Sequence, residues 1–195
     1  MDVEDLDSVQ QSALMLVGAT PKGLIDSKMR VQKLAFLFSK SLEDHDLDAE
    51  FSFEPYNLGP YSENLENALD LLAAQGLLLR DPNRNRYTAT AFGRTMIEKL
   101  VKKDPTRYSI AEEIVHYLGQ LNPYDLAAAV YELYPEYASK STIAHQLKGR
   151  KAIDSVVIPL NLRSKGEGFL KSRLGRTLNV SFVKDQIWID ERIDD

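Results

Sequence analysis

The stretch Pro60–Lys103, PYSENLENALDLLAAQGLLLRDPNRNRYTATAFGRTMIEKLVKK, decides how the first half of the chain folds. Leu65, Ala68, Leu69 and Leu72 recur at helical spacing. They predict a helix over residues 60–76, with Pro60 in its first turn and Gly76 closing it in a left-handed conformation. Residues 77–89 read as a hairpin. LLLR and RYTAT pair across the Asp81–Arg84 turn, where Pro82 suits the second turn position. Thr90 caps a further helix over 91–103 that turns Phe92, Met96, Ile97, Leu100 and Val101 inward.

Working back toward the N-terminus, Val9, Ala13, Leu16 and Val17 set an apolar stripe on a helix over 8–18. Pro21 and Gly23 break the chain. Asp26 or Ser27 caps a helix over 27–42, whose inner face is Val31, Leu34, Ala35 and Phe38, with Lys28, Arg30, Lys33 and Lys40 outside it. EDHDLDAE (43–50) is a polar loop and FSFEP (51–55) a short strand. The order helix, helix, strand, helix, hairpin, helix is a winged-helix pattern, with the hairpin as the wing and helix 60–76 in the position of a recognition helix.

Toward the C-terminus, Asp104-Pro105 marks a boundary. A helix over 108–121 packs through Ile110, Ile114, Val115, Leu118 and Leu121. Asn122-Pro123-Tyr124-Asp125 is a start signal of cap, first-turn proline and first-turn acid for a helix over 123–134. Ser139 or Ser141 opens a short helix to Leu147, and residues 153–162 and 178–190 hold β-favouring runs that predict a small sheet or hairpin. The fold class is therefore mostly α within α+β. A winged-helix-like domain over 1–105 is followed by a helical domain over 106–195 with a basic segment and a small β-hairpin.

Composition narrows the function. The 195 residues contain no cysteine, which excludes disulfides, thiolate catalysis and cysteine-ligated zinc. No apolar run reaches the roughly 20 residues a membrane span needs. The start, MDVEDLDSVQ, is acidic and unlike a secretory signal, so the expected location is the cytoplasm with no membrane partner. The net charge of −5 is unevenly spread: −9 over residues 1–139, +7 over 140–176 and −3 over 177–195. A basic block of that kind attracts phosphates or an acidic partner, and equally fits a solvated face balancing its acidic neighbour.

The residues Arg30–Leu37, RVQKLAFL, resemble the helix near the start of Panacea-domain proteins and their archaeal and bacterial relatives. Phe51–Ser62, FSFEPYNLGPYS, is similar to that family's most distinctive segment, an aromatic-rich strand and Gly-Pro-Tyr-Ser turn running into a helix that ends Gly76-Leu77-Leu78. Val130–Ser141, VYELYPEYASKS, resembles a run in the archaeal relatives. The likeness covers roughly residues 25–145 and leaves those after 148 unmatched. It implies a winged-helix-like fold and an antitoxin or adaptor role through direct protein contact, and it brings no catalytic residue.

Two sets of candidate residues follow. For a protein partner they are Tyr56 and Tyr61, which bracket the Gly-Pro turn as low-entropy aromatic anchors, and Glu63, Glu66 and Asp70 on helix 60–76, which would face a basic surface. That helix carries no Lys or Arg, so three carboxylates would meet the phosphates if it entered a DNA groove. The alternative, a DNA-binding transcriptional regulator acting as a homodimer, draws on Lys28, Arg30, Lys33, Arg80, Arg84 and Arg86. It also draws on Lys148, Arg150, Lys151, Lys171, Arg173 and Arg176 in the basic block. No catalytic set, metal or cofactor is expected. Asp44, Asp46 and Asp48 begin like a calcium loop, but Ala49 stands where its glycine belongs and Pro55 where its last glutamate belongs. His45, His116 and His145 have no ligand spacing, Ser141 and His145 lack an orienting acid, and Glu112 and Glu113 point to different sides of their helix.

Overall fold

The computed structural model describes residues 2–81, 83, 85–147, 178–183 and 186–191. The protein is mostly helical with small antiparallel sheets. It divides into two compact units, Met1–Glu54 with Pro60–Gly119, and Pro55–Gly59 with Gln120–Asp195.

In the first unit, α1 (Ser8–Ala19) starts at Asp7, whose carboxylate accepts from the Gln10 N–H while the Gln10 side chain reaches back to the Asp7 N–H. This reciprocal cap satisfies two donors that a helix start leaves open. Ala13 through Val17 are all buried, so α1 runs through the core. Ser27 caps α2 (Lys28–Asp44). From Val31 to Ser39 every residue of α2 is buried, the signature of a central helix rather than a one-faced one.

Three strands form one antiparallel sheet in the order β1 (Leu24–Ile25), β5 (Arg86–Ala89), β4 (Leu78–Asp81). Leu24 pairs with Thr88, and Thr88 with Leu79; Ile25 pairs with Tyr87, and Tyr87 with Arg80. Ile25, Tyr87, Leu78 and Ala89 are buried, so one face of the sheet closes the core. Thr90 caps α4 (Ala91–Lys103) through the Gly93 N–H, as its sequence position implies.

Several boundaries differ from the sequence reading. The strand expected over 51–55 lies at β2 (Glu54–Tyr56), paired with β3 (Gly59–Tyr61). Phe51 and Phe53 serve packing instead: the Phe53 ring meets Phe36 edge-on at 5.2 Å and Phe51 at 6.3 Å. Because β3 claims Pro60, the helix expected over 60–76 is α3 (Glu63–Ala74), started by Ser62. Gly76, at φ +75°, does take the left-handed conformation past its end.

The helix expected over 108–121 is α5 (Pro105–Leu118), because Asp104 caps it through the Arg107 N–H and Pro105 fills its first position. It packs on α1 and α2, so the first unit runs to Gly119 rather than ending at residue 105. The strand β1 was not anticipated. Two residues between Gly23 and Asp26 are too short to show a strand period.

In the second unit Asn122 caps α6 (Pro123–Leu133) by accepting from the N–H groups of Tyr124 and Asp125. Ala127, Ala128 and Ala129 form a small core with Leu147 of α7 (Ala144–Leu147), and Tyr131, Leu133 and Ile143 pack around it. Thr142 donates to the Asn57 carbonyl from its N–H at 2.9 Å and from its hydroxyl at 3.0 Å. Gly59, at φ +93°, lies against the Tyr131 ring so closely that a Cβ there would collide with it. The β-favouring run at 178–190 forms the hairpin of β6 (Leu178–Val183) and β7 (Gln186–Glu191), with Val180 opposite Ile189 and Phe182 opposite Ile187. The run at 153–162 lies outside the described residues.

Candidate functional site

The site grows from the turn that starts α3. Ser62 is fully buried, and its hydroxyl accepts from the Leu65 N–H at 3.2 Å. Gln32 of α2 clamps the Ser62 backbone from both sides: its Oε1 accepts from the Ser62 N–H at 2.8 Å, and its Nε2 donates to the Ser62 carbonyl at 3.0 Å. One residue on, the Lys33 amine donates to the Pro60 carbonyl at 3.0 Å. The two stretches RVQKLAFL and FSFEPYNLGPYS are thus joined by three side-chain hydrogen bonds to backbone groups that would otherwise be buried without partners.

Lys33 is a correction to the sequence reading, which set it outside the inner face as a candidate phosphate contact. It is 2% exposed and cannot reach a phosphate. Burial alone lowers its amine from 10.5 to about 7.

On α3 the carboxylates are arranged in two matched groups. Glu66 accepts from Lys28 at 2.5 Å and from the Tyr61 hydroxyl, and the Lys28 ammonium sits 5.7 Å over the Tyr61 ring. Burial raises the Glu66 carboxyl. The hydrogen bonds from Lys28 and Tyr61 and the charges of Lys28 and Arg80 outweigh that and leave it below its usual value. One turn later Asp70 accepts from Arg80 at 2.8 Å and from the Tyr87 hydroxyl at 3.4 Å, with the Arg80 guanidinium 5.9 Å over the Tyr87 ring. Burial, with Asp70 and Glu66 nearby, raises the Tyr87 phenol although Arg80 opposes it.

The exposed stripe of α3 is therefore not Glu63, Glu66 and Asp70. It is Glu63, Asn67, Leu71 and Ala74, the spacing of one helix face, and Leu71 is 51% exposed. Of the expected protein-contact residues, Glu63 is exposed, Glu66 and Asp70 are held by neighbouring cations, and Tyr61 is half-buried against Glu66. Tyr56 is 49% exposed and belongs to the second unit.

Of the five described cations expected to hold phosphates, four are engaged within the chain. Besides Lys28, Lys33 and Arg80, Arg30 bonds to Asp26 at 2.7 Å and to the Gly119 carbonyl at 2.5 Å. Arg86 is the exception: it has no ion-pair partner among the described residues, and its buried Nε meets no acceptor. Arg84, Lys148, Arg150, Lys151, Lys171, Arg173 and Arg176 lie outside the described residues.

The Ser141 hydroxyl shares a 2.7 Å hydrogen bond with the Tyr131 hydroxyl and accepts from the Ile143 N–H, so it is engaged in local structure. Among the described residues no helix is long and apolar enough to cross a membrane.

Sequence reasoning missed the pairing of Gln32 and Lys33 with the turn. One signal was available. In VQKLAFLFS (31–39) only Gln32, Lys33 and Ser39 are polar, too few to give a helix a solvent face. No family model matches the chain, and no curated protein matches it.

Proposed function

We propose that this chain is a non-catalytic, winged-helix-like regulatory protein that acts by binding another protein, in the manner of an antitoxin or adaptor. The element order α1, β1, α2, β2, β3, α3, β4, β5, α4, with β5 between β1 and β4, supports the winged-helix reading, the β2–β3 pair being an insertion between α2 and α3. The observation that carries the choice of partner is the state of the charges around α3. Among the described residues Lys28, Arg30 and Arg80 are ion-paired with carboxylates of the chain at its surface and Lys33 is buried, while the outward stripe offers Glu63 and an exposed Leu71. A DNA groove needs unspent cations, whereas a protein interface needs an apolar centre with a polar rim. Tyr56, in the second unit, adds an exposed aromatic anchor.

The test is affinity capture from source cells with the wild-type chain and with Leu71→Asp, Glu63→Lys and Tyr56→Ala variants, each checked for native circular dichroism. A stoichiometric protein partner lost in Leu71→Asp or Glu63→Lys is expected. Recovery of no such partner, or equal recovery by all variants, overturns the reading. A second reading, a DNA-binding regulator, is favoured by Arg86 on β5, which has no ion-pair partner among the described residues. It predicts duplex binding that weakens about tenfold or more between about 50 and 200 mM salt and is lost on Arg86→Glu.

A further inference from the structure

Two side chains of α2 hold the start of α3, and they differ in one respect. Gln32 is a neutral amide with its donor and acceptor both used on Ser62. Lys33 is a titratable amine, sealed from solvent, with one hydrogen-bond partner, the Pro60 carbonyl. An ammonium carries three N–H donors and no acceptor. Among the described residues two of those donors have no acceptor, and the charge has no counter-ion.

The elements around α2 offer no relief. α1 and β1 carry no charged residue. The charged or titratable groups of α5 are Arg107, Tyr108, Glu112, Glu113, His116 and Tyr117, and those of the turn and α3 are Tyr61, Glu63, Glu66 and Asp70. On α2 itself the nearest are Lys28, Arg30 and Lys40. None of these bonds to Lys33: Glu66 and Tyr61 are taken up with each other and Lys28, and Arg107 with Glu50 and Asp104.

We propose that Lys33 is a proton-operated latch on the turn that begins α3: as a neutral amine it holds the Pro60 carbonyl, and as an ammonium it releases it. The site suits the neutral form, with one acceptor for one donor and the amine buried. Protonation gives the amine a reason to leave for water, and leaving withdraws one of the three bonds that fix Pro60–Ser62. Ser62 caps α3 and Tyr61 shapes the Glu66 group, so release loosens the first turn of α3 and the surface beside it. The amine's lowered proton affinity, at about 7, sets the switching range near neutrality. The latch does not depend on which macromolecule the chain binds.

The experiment is NMR on the full wild-type chain, following the Lys33 side-chain resonances and the Tyr61, Ser62 and Leu65 amides from about pH 5 to about pH 9. The expected result is a Lys33 midpoint near 7, with the three amides moving at the same midpoint. Hydrogen exchange of the Leu65 amide, corrected for its intrinsic pH dependence, should show opening that rises about tenfold per pH unit as the pH falls from about 9 to that midpoint and levels off below it. Lys33→Met should make that opening independent of pH. If the variant does not fold, the wild-type titration still decides. A Lys33 midpoint near that of a solvated lysine overturns the proposal. So does a neutral midpoint with turn amides that stay still.

Discussion

Replacing Lys33 by methionine should reverse its effect on stability as pH changes. The amine falls from 10.5 in the open chain to about 7 in the fold. Between those values the unfolded chain binds more protons than the folded one, so wild-type stability rises with pH across that window. The penalty is fully present below about pH 7. At about 1.4 kcal/mol per pKa unit, its ceiling is about 5 kcal/mol at pH 6, shrinking to about 1 kcal/mol at pH 10. Methionine has similar length and no charge, so it removes the penalty. It also leaves the Pro60 carbonyl without its donor, at a cost of about 1–3 kcal/mol.

The variant should therefore be more stable than wild type by about 2–4 kcal/mol at pH 6, and equal or less stable at pH 10. Urea unfolding of both proteins at the two pH values measures this. The change in the stability difference between them, about 4 kcal/mol, is the quantity to trust, because titrations common to both chains cancel. An equal difference at the two pH values, or a variant weaker than wild type at pH 6, refutes the reasoning.

Gly59→Ala should lower stability by about 2–4 kcal/mol, since alanine must adopt a positive φ and its methyl collides with Tyr131; thermal melts read this, and an unchanged midpoint contradicts the packing described. Ser62→Ala should cost about 1 kcal/mol through loss of the α3 cap and leave the Gln32 clamp in place, so chemical denaturation should show a modest loss and not a collapse. Arg107 binds Glu50 at 2.7 Å, the Asp48 carbonyl at 3.0 Å and Asp104 at 3.2 Å, with Arg107 and Glu50 side chains each 13% exposed. Arg107→Ala should cost about 3 kcal/mol, and in a double-mutant cycle with Glu50→Ala the losses should fall short of additive by about 0.5–3 kcal/mol.

Much of the fold was legible because its signals are local. Thr90 and Asn122 announce helix starts by their position before an apolar run and cap as read, and of the two candidates Asp26 and Ser27 it is Ser27 that caps α2. Where two local signals compete, the choice is made elsewhere. Pro60 and Ser62 are both credible starts for α3, and Ser62 prevails because β3 pairs with β2 and claims Pro60. Asp104-Pro105 reads equally well as a domain boundary and as the cap and first position of α5. The packing of α5 on α1 and α2 selects the second.

The site was harder to read, and the reason lies in which charges belong to the protein itself. Glu66 and Asp70 look like free acids on a helix without cations, because the cations that hold them come from Lys28, 38 residues away, and Arg80, 10 residues away. Lys33 looks exposed because lysine usually is. Its partner is a carbonyl 27 residues away, and nothing in its own helix encodes that carbonyl. A helix's charge predicts its partner only after such internal pairs are set aside. Setting them aside here takes two acids from the presumed acidic face and, among the described cations, four from the presumed basic one. What remains on α3 is an exposed Leu71, with Glu63 about two turns away on the same face. On that surface Leu71→Asp should weaken partner binding more than Glu66→Gln, whose carboxylate is already satisfied by Lys28 and Tyr61. The opposite order would show that the paired acids, and not the apolar stripe, meet the partner.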